Sequence, residues 1–190
     1  ESILGSYAMV AVAWMGALVA DLVINKPLGL SPRHIEFKRA YLYDLNPVGF
    51  GAMLLATAVG LLARAGLWGD TAAALASFLA LLTAFVAAPL IAVITGGRYY
   101  IARRPEPATA VRGQPCCICE HRFDEEDMAF CPAYNGPICS LCCSLDARCN
   151  DACKHHARFQ EQLIDWLSGV LPEPLLLRLR SRLGHFLGLL

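Results

Sequence analysis

Nine cysteines fall within residues 116–153, and their spacing is that of metal knuckles. Cys116 and Cys119 form one C-x-x-C, and Cys139 and Cys142 form another. Such a turn brings two sulfurs to one side of a tight loop, where a tetrahedral ion needs them. Two of these turns about twenty residues apart make the spacing of a zinc ribbon. These four residues predict one metal centre. Cys131 and the C-x-x-x-C of Cys149 and Cys153 predict a second, with Cys143, His155 or His156 as fourth ligand. Cys117 is left over. Protein fills every position of both sites, so the two zinc ions expected here are structural.

The stretch also needs a staple. Its larger apolar residues are few: Ile118, Phe123, Met128, Phe130, Ile138, Leu141 and Leu145. A core that small rarely folds without metal or disulfides. An odd number of cysteines fits a disulfide framework poorly, and disulfides do not persist in most cytoplasms. Zinc is the expectation, with an iron–sulfur cluster as the alternative. No catalytic constellation accompanies the cysteines. H-E-x-x-H, Walker, nucleotide, kinase and G-x-S-x-G motifs are absent, and Glu125 and Glu126 lack the His–Cys setting of a deaminase.

The elements that position this unit are apolar. The 190-residue chain is 56% hydrophobic and only 17% charged, with no net charge, which excludes a disordered chain and an ordinary nucleic-acid binder. Three runs, 2–24, 47–63 and 71–97, predict helices that span a bilayer. In the second, Gly49, Gly51, Ala52, Ala56, Ala58 and Gly60 suit close helix packing in lipid. Arg64 closes that run as a snorkelling end residue, and Asn46-Pro47 reads as a helix start. Asp21 reads as an interfacial cap or an ion pair with Lys26, and Tyr99 and Tyr100 as an interfacial belt.

Basic residues orient the spans. Lys26, Arg33, Lys38 and Arg39 lie in the first loop, and Arg98, Arg103, Arg104 and Arg112 follow the third span. Both segments are therefore expected in the cytoplasm of an inner-membrane, multi-pass protein. The expected organisation is a membrane region over 1–104, a Pro- and Gly-broken linker over 105–115, a zinc module over 116–156 and amphipathic helices over 157–190. The fold class is mainly α. Leu175–Leu190, with Arg178, Arg180, Arg182 and His185, suits anionic headgroups or the flank of a further span. The chain begins at Glu1 within an apolar run and reads as a segment of a longer protein.

Two resemblances add to this reading. Ala20-Asp21-Leu22 followed by Tyr43-Asp44-Leu45-Asn46-Pro47 resembles the loop between late helices of nucleobase–cation symporters. The alternating knuckles resemble the cross-brace of RING and FYVE modules. A transporter-like membrane region joined to a cysteine-rich module is similar to bacterial sensors in which a permease-like part is fused to a histidine kinase. That resemblance implies a junction segment of a two-component system. It would couple solute occupancy through a structural zinc module to a downstream domain of the same chain. No substrate residue carries over, because the symporters bind substrate on earlier helices. The expected partners are the bilayer, the downstream domain and a second copy in a homodimer, without nucleic acid. The alternatives are a membrane-anchored RING-like ubiquitin ligase, or a redox or metal sensor using Cys117 and Cys143 as reactive thiols.

Overall fold

The computed structural model describes residues 2–104, 111–145, 147–149, 151–169 and 172. It divides into two compact units, Glu1–Glu36 with Asn46–Ile101, and Phe37–Leu45 with Ala102–Leu190. The described residues are mainly helical. The whole stretch 173–190, including the arginines of the tail, lies outside them, as do residues 105–110 of the linker.

In the first unit α1, Ser2–Ala20, continues into a π-helical turn, Asp21–Asn25. Helix α2 is Pro47–Arg64, α3 is Asp70–Ala74 and α4 is Ala76–Thr95. The run read as one helix over 71–97 is thus two, parted at Leu75, whose backbone (φ −98°, ψ 13°) leaves the helical range. Three helical segments, Ile3–Asn25, Pro47–Arg64 and Ala76–Thr95, are long and apolar enough to cross a membrane. Helix α2 begins where its sequence says it should. The Asn46 side chain accepts from the Val48 amide at 3.0 Å, and Pro47 fills the first position, where its missing N–H costs nothing. Helix α4 ends at Gly96 and Gly97, both left-handed (φ 59° and 65°). A Cβ on Gly97 would also stand 2.7 Å from the Leu30 carbonyl, so only glycine fits there.

These helices meet along seams of small residues four apart. Ala76, Ala80, Ala84, Ala88 and Ala92 are buried on α4, and Val48, Ala52, Ala56 and Gly60 on α2. Ala13 and Ala17 complete the contact from α1. A Cβ on Gly16 would lie 2.9 Å from that of Ala84, and one on Gly60 3.0 Å from that of Ala80. The large side chains, among them Leu54, Phe78, Leu82, Leu90 and Ile94, point outward and are exposed. Alanine inside and leucine outside inverts the pattern of a water-soluble bundle. It is the arrangement of helices packed in lipid, where close backbone approach holds the bundle and the apolar exterior costs nothing. Of the small residues expected at the interface, Ala58 faces outward and Gly49 has open space around it.

The second unit contains one feature the sequence reading lacked, a β-hairpin. Strand β1, Met128–Cys131, pairs antiparallel with β2, Gly136–Cys139, so that Met128 faces Cys139 and Cys131 faces Gly136. Asn135 turns the hairpin at φ 47°, a conformation asparagine tolerates. Helix α5, Ser140–Leu145, follows directly, and α6 is Phe159–Ser168. The buried cluster joins Met128, Ala129 and Ile138 to the cysteines, and Ala40 and Tyr41 belong to it. Those two residues come from the loop between α1 and α2, in the 3-10 turn Arg39–Tyr41. That loop was expected to be a plain basic connection, yet 37–45 is part of the cysteine unit.

Candidate metal centre

The first four predicted ligands come together. The side-chain sulfurs of Cys116, Cys119, Cys139 and Cys142 all lie within 4.8 Å of one another, and this cluster can hold a metal ion. The sulfurs of Cys119 and Cys139 are 4.0 Å apart. A Zn–S bond of about 2.3 Å gives a sulfur tetrahedron with edges of about 3.8 Å. None of the nine cysteines is joined in a disulfide.

Local structure explains the convergence. The first knuckle closes with the Glu120 amide donating to the Cys116 carbonyl at 2.8 Å, and Glu120 itself is left-handed (φ 61°). The second knuckle leaves the end of β2 and enters α5, so Cys139 is fixed by the hairpin and Cys142 by the first turn of the helix. The Cys117 amide donates to the Pro137 carbonyl at 2.8 Å, which sews the first knuckle to β2. Two amides point at sulfur, Cys139 to Cys116 and Cys142 to Cys139, each at 3.4 Å.

Those amides set the electrostatics. Burial pushes the Cys116 thiol up, but the amides of Cys119, Cys139 and Ile118 outweigh it and bring the group down to about 6. Burial pushes Cys139 and Cys142 the other way, and the neighbouring Cys116 charge adds to this. One thiolate forms readily, and its charge then opposes the next. A divalent cation removes that opposition and lets all four ionise.

The remaining cysteines stand differently. Cys131 and Cys143 are buried, Cys149 and Cys153 are partly buried, and Cys117 is exposed. Among the described residues the first four alone have ligand atoms all within 4.8 Å. Burial pushes Cys143 up to about 11, and burial with the Cys116 and Cys131 charges raises Cys117. A redox-reactive thiol needs the opposite shift. His155 and His156 are both exposed, and the His156 ring lies 3.9 Å from the Asp165 carboxylate.

The loop 37–45 is bonded into this unit through groups that sequence reasoning passed over. Lys154 is 1% exposed, and its ammonium meets the Asp44 carboxylate at 2.9 Å and the Leu42 carbonyl at 3.2 Å. The second Asp44 oxygen accepts from the Phe159 amide at 3.0 Å and so caps α6. Buried Gln162 grips the Leu45 backbone with both ends of its amide, at 3.0 and 2.8 Å. Arg39 forms a two-pronged pair with Asp151, with its shortest contact at 2.6 Å. The only sequence signal for this set was its position, since a buried lysine is rare unless it is paired.

The membrane-type unit holds a polar cluster of its own. Asp21 accepts from Tyr100, from Asn25 at 3.1 Å and from Ser31 at 3.4 Å. Lys26, expected as its ion-pair partner, reaches the Pro32 carbonyl at 2.5 Å instead. The π-helical turn makes this possible by rotating Asn25 inward, where it is fully buried. Trp14, Phe50, Met53, Asn46 and Asp21 line a cavity of about 370 Å³ beside it. No family model, curated protein or solved structure matches this chain.

Proposed function

We propose that the chain is the junction of a transporter-like membrane sensor. In this reading a zinc-stabilised module ties the membrane helices to a downstream output, a histidine kinase. One observation carries it: the loop between α1 and α2 folds into the cysteine unit, so the polypeptide passes between the two units at 36/37, 45/46 and 101/102. A module that only hung from the last helix would need a single passage. With three, a shift of α1 or α2 pulls directly on the loop that packs against the module's core.

The same composition supports the orientation. Phe37–Leu45 and the stretch from Ala102 belong to one compact unit, which supports a reading in which both lie on one side of a bilayer with α2 and α4 as the crossings between them. The basic residues of both segments assign that side to the cytoplasm. Four sulfurs within 4.8 Å of one another suit a single ion, and an all-thiolate tetrahedral set supports zinc. The ion's role is structural. It fixes the hairpin and α5, against which Ala40 and Tyr41 pack.

The test is ATP-dependent phosphorylation of the full-length protein in lipid nanodiscs. The expected result is a phosphohistidine, formed at a rate that Asp44→Ala with Gln162→Ala changes severalfold while zinc content holds. An unphosphorylated protein, or a double variant with the wild-type rate, overturns the proposal.

A further inference from the structure

We infer that Cys131, Cys143, Cys149 and Cys153 hold a second tetrahedral zinc ion, and that its surrounding shell is built partly by the loop between the first two membrane helices. The inference rests on the reading of the first cluster as a metal centre. It goes beyond that reading in the ligand set, in the choice of the fourth ligand and in the part given to the loop.

Geometry brings the four residues to one region. Cys131 ends β1 and is 5% exposed, Cys143 lies on α5 and is 8% exposed, and both belong to the buried cluster that contains the first centre. Cys149 and Cys153 are brought onto one turn. The Ala152 amide donates to the Cys149 carbonyl at 3.1 Å and the Lys154 amide to the Asp151 carbonyl at 2.9 Å, with Asp151 left-handed at φ 52°. That turn reaches the same region, because Arg39 holds Asp151 at 2.6 Å and the next residue, Ala40, lies in the buried cluster with Cys131 and Cys143. Their sulfurs do not all lie within the 4.8 Å that encloses the first four, so binding an ion requires them to close in.

The fourth ligand follows by comparison of the three candidates. His155 and His156 are exposed, and His156 faces Asp165. Cys143 is buried in the same cluster as Cys131. The two centres then use eight of the nine cysteines and leave out Cys117, the exposed one.

The surroundings suit a four-thiolate ion, which carries two net negative charges. The Arg103 guanidinium hydrogen-bonds Cys153 and donates to the Phe130 carbonyl at 3.2 Å, next to Cys131. The Ala40 amide bonds to Cys143, and the Arg39 charge acts on it. Two of these three groups come from the loop, and Arg39 also grips Asp151, which lies between Cys149 and Cys153. Groups that donate to or orient ligands in this way tune a metal site. An ion here would fix the turn that holds the loop.

The experiment is metal content per chain of the full 190-residue protein, purified in detergent from zinc-replete cells. Two zinc ions per chain are expected in the wild type and in a His155→Ala/His156→Ala double variant, and one in Cys143→Ser. One ion in the wild type overturns this inference and leaves the first centre standing, whereas none overturns both. Two ions in Cys143→Ser overturn the ligand assignment. A measurement without variants guards against misfolding. The cadmium-loaded wild type should give two 113Cd resonances, both in the all-thiolate range, and a resonance with mixed nitrogen and sulfur ligation refutes the choice of Cys143.

Discussion

Removing the Asp44 carboxylate should loosen the loop far more than removing its partner's charge. Lys154 is buried and meets Asp44 at 2.9 Å, with Asp151 further off at 3.7 Å. Breaking a buried pair from one side costs about 3–5 kcal/mol, because the other charge is left without compensation. Here the Leu42 carbonyl and Asp151 remain to the ammonium, and Asp44 is 24% exposed, so we discount this to about 1–2 kcal/mol. Asp44 also caps α6, which adds about 1 kcal/mol. Asp44→Ala should therefore cost about 2–3 kcal/mol, an acceleration of about 30- to 150-fold at 1.36 kcal/mol per decade. The assay is amide hydrogen exchange of the solubilised chain, read on 37–45 and on α6. Lys154→Met should behave otherwise, since Asp44 can turn to water and keep its bond to the Phe159 amide. Its cost should stay near 1 kcal/mol, or about fivefold. A change below threefold in Asp44→Ala, or equal effects of the two substitutions, refutes the assignment of this pair as the loop's main tether.

Further outcomes follow from the same contacts. Cys116→Ser should lose the first ion and with it the protection of β1 and β2, as should a strong chelator acting on the wild type; hairpin amides that stay protected without metal would show that the ion is dispensable for folding. Burial opposes the Asp44 carboxylate, but the Lys154 bond, the Phe159 amide and the Lys154 and Arg39 charges hold it below the usual range. A depressed carboxyl stabilises fully above its unfolded value of about 3.9 and loses this as pH falls through the folded value. Protection of α6 should thus be level from neutral pH to about 5 and fall below about 4, by a margin that vanishes in Asp44→Asn. In the membrane unit, Gly16→Val meets the Ala84 methyl at 2.9 Å and should cost about 1–3 kcal/mol in detergent unfolding. Gly49→Ala enters open space and should be near neutral, and equal losses at the two positions would disprove the helix seam.

The legible parts were those with a local chemical cause. Spacing alone grouped Cys116, Cys119, Cys139 and Cys142, because a knuckle is closed by its own backbone. Composition alone found the three long apolar helices, and Asn46-Pro47 marked the start of α2 to the residue. What failed to register was non-local. The hairpin strands are only four residues each, too short for alternation to stand out, and each ends in a cysteine. The π-helical turn that carries Asn25 inward has no signature in residue type, so Lys26 seemed the natural partner of Asp21 when Tyr100, far along the chain, fills that place. The loop 37–45 looked like solvated basic sequence because its bonds run to residues more than a hundred positions away.

That loop also explains why a module with so few apolar groups can be coupled to helices at all. Of the largest fully buried side chains among the described residues, Lys154, Gln162 and Asn25 are the amine and amide groups, and the first two bond to the backbone or side chains of 42–45. An apolar contact weakens gradually as surfaces slide. A buried ammonium or amide is satisfied in one geometry and costly in nearly all others. Displacing the loop by the length of a hydrogen bond would therefore leave Gln162 without its Leu45 partners, leave Lys154 with Asp151 alone and uncap α6 in a single step. With an ion in the four-cysteine cluster, the opposite side of the contact would be held rigid and the strain borne by the loop and by α6, the last helix among the described residues. On the proposed function, a small movement of α1 or α2 would be converted in this way into a change of state at α6, the property that a junction between a membrane bundle and an output domain requires.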